Sequence, residues 1–184
     1  MANVLRDRRT PSELAAAGQV IEINDKIGGF RRLAEIVAAD LAALAPDRLT
    51  GNWRDSTVAG RLAFGFADAQ RRLPKLDGEL KVTVDAVCQR CLEPFRLPVS
   101  VELRLLFANA AGGATNGDGY EVWELDEEAF APIDLVEEAL IMALPLSAMH
   151  EDRALCVAPA ELEESAGETI RPFAALRSQL QKEP

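Results

Sequence analysis

Histidine and tyrosine each occur once in these 184 residues, and cysteine only three times. There is no second histidine, no glycine-rich phosphate loop and no Gly-x-Ser-x-Gly elbow, so the usual constellations for phosphoryl or acyl transfer are missing. Aromatics make up 5% of the chain, so Leu, Val, Ile and Ala must fill the core that a 48% hydrophobic composition permits. No apolar run is long enough to span a membrane, and the opening MANVLRDRRTPSEL has no apolar signal core. The expectation is a cytoplasmic protein with no membrane partner. Three cysteines form an odd, sparse set, unlike a secreted disulfide framework.

Positive charge is also missing over a long stretch. Between Leu105 and Asp152 the chain carries 11 acids and no Lys or Arg, leaving 19 acids against 20 bases elsewhere. That one segment accounts for the net charge of −10. Such a stretch repels a phosphate backbone and attracts a basic protein. The plainer alternative is a solvated acidic surface that aids solubility.

What is present is concentrated. Cys88-Gln-Arg-Cys91, answered downstream by His150 and Cys156, uses every cysteine and the only histidine. A Cys-x₂-Cys turn is a half-site for a tetrahedral ion, and His150-x₅-Cys156 would complete a Cys₃His set around one structural Zn²⁺. Such a site is closed, with no position left for substrate. Two alternatives stand beside it. Cys88 and Cys91 could be a dithiol redox pair, although that pair normally opens a helix after a strand. The thiols could also be small buried hydrophobes.

The period of the apolar residues outlines an α+β plan. Phe30 to Ala45 reads as an amphipathic helix stopped by Pro46. Thr57–Phe66, Glu79–Cys88 and Pro98–Phe107 alternate as three antiparallel strands, the first interrupted by Gly60. The Cys88–Cys91 turn joins the last two. Asp134-Leu-Val-Glu137 matches a capping box opening a second helix that Pro145 stops. Ala108 to Gly119 reads as a Gly/Ala/Asn loop, and Arg171 onward as a short helix with Pro172 at its first position. The expected fold is an antiparallel β-sheet, open or barrel-like, with two packing helices and flexible termini. Its parts are an extended arm (1–19), one α+β domain (20–156) and an acidic linker with a short C-terminal helix (157–184). Trp53, Tyr120 and Trp123 are candidate partner anchors, though core packing is the commoner role. Arg71, Arg72 and Lys75 make a small basic cluster, a weak footprint for RNA phosphate.

The residues Val87-Cys-Gln-Arg-Cys-Leu-Glu-Pro-Phe95, then Asp134-Leu-Val-Glu-Glu-Ala-Leu-Ile-Met-Ala-Leu-Pro145 leading to His150 and Cys156, resemble the YceD family. Pro172-Phe-Ala-Ala-Leu176 is similar to that family's closing segment, so the likeness runs from about Lys81 to Leu176. Where the family pattern would place a second proline, this chain has Ala148. The resemblance implies a non-enzymatic ribosome-biogenesis factor supporting synthesis, processing or stability of 23S ribosomal RNA. It carries over no catalytic residues. The implied partner is a basic ribosomal protein (L32-like) or a pre-ribosomal particle, with rRNA contacted indirectly. Glu124, Glu127 and Glu128 are the candidate partner-binding residues. Two alternatives remain, a thiol-dependent oxidoreductase using Cys88 and Cys91 and a zinc-ribbon nucleic-acid binder. The second sits badly with a pI near 4.7.

Overall fold

Alternation of apolar and polar side chains puts one face of a strand in the core, and the computed structural model shows this over the first four strands of a five-stranded sheet. Residues 4–42, 44–45, 48–49, 51–108, 119–124 and 129–156 are described. The elements in order are α1 (Pro11–Ala16), β1 (Val20–Lys26), α2 (Arg31–Leu41), β2 (Thr57–Phe66), β3 (Pro74–Val87), β4 (Pro94–Ala108), β5 (Glu121–Glu124) and α3 (Pro132–Ala143). Strands lie in the order β1-β2-β3-β4-β5. The first four form an antiparallel meander, while β5 adds to β4 in parallel. The sheet is therefore mixed and open, with β1 and β5 at opposite edges rather than closed into a barrel.

Two strands escaped the period-two reading, for local reasons. In β1 only Ile21 and Ile23 are buried among polar residues, and β5 is four residues long. The three expected strands are present, and β3 and β4 extend well beyond their expected starts.

Leu33, Ala34, Val37 and Leu41 of α2, with Leu135, Val136, Ala139 and Leu140 of α3, are buried against the sheet. They meet Val58, Leu62, Leu76, Leu80, Val82, Val84, Leu103 and Leu105 in one cluster. Each such buried aliphatic side chain contributes about 1.5–3 kcal/mol. Phe64, Phe107 and Phe130 close the far end, with ring centroids 5.6–6.4 Å apart. Gly60 is needed here by close approach. A Cβ on it would lie 2.4 Å from the Glu79 carbonyl and 2.8 Å from Leu80 Cδ2, its register partner across the ladder. What reads in sequence as an interruption of β2 is the room that Leu80 occupies.

Residues 4–19 depart from an extended arm. Thr10 and Glu13 form a reciprocal capping box, with Glu13 N–H donating to Thr10 Oγ1 at 3.1 Å and Thr10 N–H to Glu13 Oε2 at 2.9 Å. Pro11 sits at the first helical turn, and Leu14 is fully buried. Upstream, Arg9 and Phe130 exchange backbone hydrogen bonds at 3.0 Å, and Ile133 N–H donates to the Leu5 carbonyl. The segment is docked on the start of α3 because Leu5 and Leu14 have a core to enter.

The capping box expected at Asp134 is corrected too. Pro132 opens α3 and Ala131 is its N-cap, with no side-chain cap. Glu137 is instead buried and serves the other helix: its Oε1 accepts the Arg32 N–H at 2.7 Å and the Leu33 N–H at 3.2 Å. Phe30, the N-cap of α2, has no capping oxygen of its own, so α3 supplies one. The expected helix after Arg171, residues 109–118 of the expected Ala108–Gly119 loop, and Glu127 and Glu128 lie outside the described residues, while Ala108 belongs to β4.

Candidate metal centre

The site begins where β3 ends. Cys88 and Cys91 lie in the short connection between β3 and β4, held by Cys88 N–H to the Glu93 carbonyl at 2.9 Å and Leu92 N–H to the Cys88 carbonyl at 2.8 Å. Closing so tight a loop puts Leu92 in the left-handed region at φ 59°, with its side chain exposed. Arg48 braces the same loop through the Leu92 carbonyl and an ion pair with Glu93.

The second half arrives from α3. The helix ends at Ala143, and the chain turns back so that the Ala148 carbonyl accepts the Gln89 N–H at 2.8 Å. That bond pins the loop to the hairpin. The His150 ring packs on Phe95, centroids 4.6 Å apart. Asp152 accepts the Ala154 N–H at 2.8 Å, and one 3₁₀ turn over Arg153–Leu155 delivers Cys156.

All four expected ligands converge. Their donor atoms lie within 4.8 Å of one another, with Cys88 and Cys91 buried and His150 and Cys156 half-buried. Cys88 Sγ is 3.9 Å from Cys156 Sγ, and His150 Nδ1 lies 3.6 Å from Cys91 Sγ and 3.5 Å from Cys156 Sγ. Bond lengths of about 2.3 Å to sulfur and 2.05 Å to nitrogen, at tetrahedral angles, require edges of about 3.8 Å between sulfurs and about 3.6 Å from sulfur to nitrogen. These three edges match those of a tetrahedron sized for Zn²⁺, and every donor pair lies within 4.8 Å. Nδ1 is the ring nitrogen facing the sulfurs.

The thiols are prepared unequally. Burial pushes the Cys88 thiol up, but hydrogen bonds from the backbone N–H groups of His150, Cys91 and Arg90, together with the Cys91 side chain, outweigh it and bring the group to about 5. Burial raises Cys91, and the facing sulfurs of Cys88 and Cys156 add to that rise against a hydrogen bond from the Glu93 backbone. Three sulfurs this close cannot all ionise unless a cation sits among them. Arg90 places Nη1 3.5 Å from Cys156 Sγ, where it would offset the single negative charge of a Cys₃His–Zn²⁺ unit.

Sequence reasoning missed the supporting roles of Arg48, Arg90 and Phe95, and named Ala148 without its bond to Gln89. Phe95 and Arg90 lay inside the quoted motif, but only the fold shows what they touch. Cys88 and Cys91 lack the strand-to-helix setting of a thioredoxin-type pair. Glu124 is elsewhere: exposed on β5, it pairs in register with Ala108, at the opposite end of β4 from the cysteines. The basic cluster is largely engaged within the chain, Arg71 over the Phe66 ring, Arg72 with Asp68, and Lys75 with Asp77 and Tyr120. Trp123 packs against the core and Trp53 carries Arg54 on its face.

The family profile described as "Large ribosomal RNA subunit accumulation protein YceD" matches residues 76–178, from the start of β3 past the fourth ligand. The chain belongs to the YceD family. A YceD protein of Haemophilus influenzae, named as a large ribosomal RNA subunit accumulation protein, is 32% identical over 131 residues, covering 66% of this chain and 74% of that one. The YceD match takes in the hairpin, α3 and all four metal-site residues, while β1, α2 and β2 lie before it. No solved structure matches the chain. Among the described residues, no helix is long and apolar enough to cross a membrane.

Proposed function

We propose that this protein is a non-enzymatic, cytoplasmic factor that supports accumulation of the large-subunit ribosomal RNA. The observation that carries this is the family match over β3, β4, α3 and the metal site. In this reading Cys88, Cys91, His150 and Cys156 hold one Zn²⁺. With four protein ligands the ion has no open position, so it supplies cohesion rather than Lewis-acid chemistry. It clasps the Leu144–Cys156 segment onto the β3–β4 hairpin.

The contact surface lies at the other end of β4. Glu124, with Glu127 and Glu128 beside it in sequence, would receive a basic ribosomal protein (L32-like) or a basic face of a pre-ribosomal particle, with rRNA held indirectly. Several acids of the segment already have internal uses, Glu137 at the start of α2 and Glu138 with Arg32, which favours the β5 end as the free surface.

The test is depletion of the protein in its own host, followed by measurement of 23S relative to 16S rRNA. Wild type should restore the ratio and Cys88→Ser/Cys91→Ser should not. Reversal at Glu124, Glu127 and Glu128 should lower it without changing metal content. An unchanged ratio on depletion would end the functional reading. Full complementation by the charge-reversed protein would end the acidic-surface part alone. A second reading, thiol oxidoreductase, predicts metal-free protein whose Cys88–Cys91 disulfide turns over with a small-molecule dithiol.

A further inference from the structure

Large apolar side chains left in solvent are gathered at one end of the molecule. Among the described residues seven are exposed, and five of them, Leu92, Met142, Leu146, Met149 and Leu155, lie on the β3–β4 loop or between the last turn of α3 and the fourth ligand. Met149 Sδ touches Arg90 of that same loop at 3.7 Å. A sixth, Ile36 of α2, shares the lining of a cavity of about 150 Å³ with Val37, Leu97, Leu144 and Leu146. Leu146 is fully exposed and Met142 is 75% exposed. A single exposed apolar residue needs no explanation, but a group of this size marks a surface that something covers.

The described residues end inside this group. Cys156 follows the exposed Leu155, and its Sγ lies 3.9 Å from that of Cys88, whose neighbour Gln89 lines the cavity. Residues 157–184 follow, and in them Phe173, Leu176 and Leu180 stand at i, i+3 and i+7, one apolar stripe of a helix that Pro172 would open. The family profile does not stop at the fourth ligand. It runs to residue 178, past Phe173 and Leu176. Residues 157–170, which separate Cys156 from Arg171, span up to about 50 Å when extended, so reach does not keep the stripe from the cavity.

We propose that residues 171–180 of this same chain cover the apolar group as an amphipathic helix. Phe173 enters the cavity between α2 and the Leu144–Leu146 segment, and Leu176 and Leu180 lie over the exposed side chains beside it. Tethering decides the occupant. A linker of this length holds the stripe at an effective concentration on the order of millimolar, which a free partner offering the same three side chains does not reach. The clasp then has a second task. By holding Leu146 and Cys156 against the β3–β4 loop it fixes both a wall of the groove and the point from which the tail returns. The proposal uses a different surface from Glu124 and does not depend on the basic-partner reading.

The test is nuclear magnetic resonance of the full-length chain with ¹³C-labelled Ile, Leu and Val methyl groups. Nuclear Overhauser contacts should join the Leu176 or Leu180 methyls to those of Ile36 and Leu146, and should keep their relative intensity on ~10-fold dilution, as a contact within one chain requires. Leu176→Asp should shift the Ile36 and Leu146 methyl signals and leave those of Val58 and Leu62, deep in the core, in place. Leu146→Asp should speed exchange of the Leu176 amide ~10-fold or more. Leu146 is fully exposed, so this variant keeps the fold and its zinc content. The proposal is overturned if the tail methyls make no contact with Ile36 or Leu146. It is equally overturned if the contacts fade on dilution, which would assign the surface to a second copy, or if Leu146→Asp leaves Leu176 exchanging as in wild type. Any of these results, with 23S rRNA still dependent on the protein, would remove the docked tail and leave the family role standing.

Discussion

The carboxylate of Glu137, in the middle of α3, accepts the backbone N–H of Arg32 at 2.7 Å, across a separation of 105 residues. It thereby caps α2 and places negative charge at the positive end of that helix dipole. Glu137→Ala should destabilise the fold by about 1–3 kcal/mol, since one buried and one part-buried donor lose their acceptor. Glu137→Gln, which retains a neutral acceptor, should cost less. Urea-unfolding midpoints of the two variants check this, and equal midpoints for wild type and Glu137→Ala would show that the cap is dispensable.

Metal analysis of purified protein should give about one zinc per chain, as a single Cys₃His tetrahedron requires. Cys156→Ser should lower zinc affinity by at least about a hundredfold, beyond the usual effect of removing a mere supporting residue. Chelation should speed exchange of the Gln89 amide, which donates to the Ala148 carbonyl, while the β1–β4 meander stays protected. A metal-free chain with a slowly exchanging Gln89 amide would count against the clasp.

Leu92 occupies a left-handed conformation at φ 59° with most of its side chain in solvent. A non-glycine residue there carries about 1–2 kcal/mol of strain, partly offset by the greater freedom glycine has in the unfolded chain. Leu92→Gly should therefore raise stability by about 0.5–1 kcal/mol, read as a higher melting temperature at unchanged zinc content. A lower melting temperature would mean that the Leu92 side chain makes a contact that matters.

Asp68 accepts the backbone N–H of Leu73 and of Arg72 within the turn between β2 and β3. Those hydrogen bonds, Leu73 first, hold its carboxyl below the usual value. A carboxyl depressed in the folded state contributes stability that is full above its unfolded value of about 3.9 and is lost as pH falls through the lower folded value. Asp68→Asn should flatten the stability profile in that acidic window and lower stability at neutral pH. Parallel acid-unfolding curves for both proteins would contradict this.

The fold was readable to different depths along the chain. β2, β3 and β4 were legible because alternation is a local property and their buried faces are lined by Val, Leu and Phe. α1 carries an equally local signal in the capping box Thr10-Pro-Ser-Glu13, but six residues are too few to show a helical period. The parallel pairing of β5 was not legible, because four residues carry too little pattern to set direction. Asp134-x-x-Glu137 misled for a physical reason: Pro132 starts the helix earlier, and the buried Glu137 found orphan donors on α2 rather than on its own helix.

By itself the sequence determined which atoms could bind a metal and which strands have a core face, since thiol and imidazole chemistry and period-two burial belong to residues and their near neighbours. Only the tertiary structure decided that Cys88 and Cys91 meet His150 and Cys156, with donor atoms within 4.8 Å of one another. It alone placed Glu124 at the far end of β4 from them. Those are relations between segments far apart in the chain, set by how helices and strands share one core, and no local pattern encodes them.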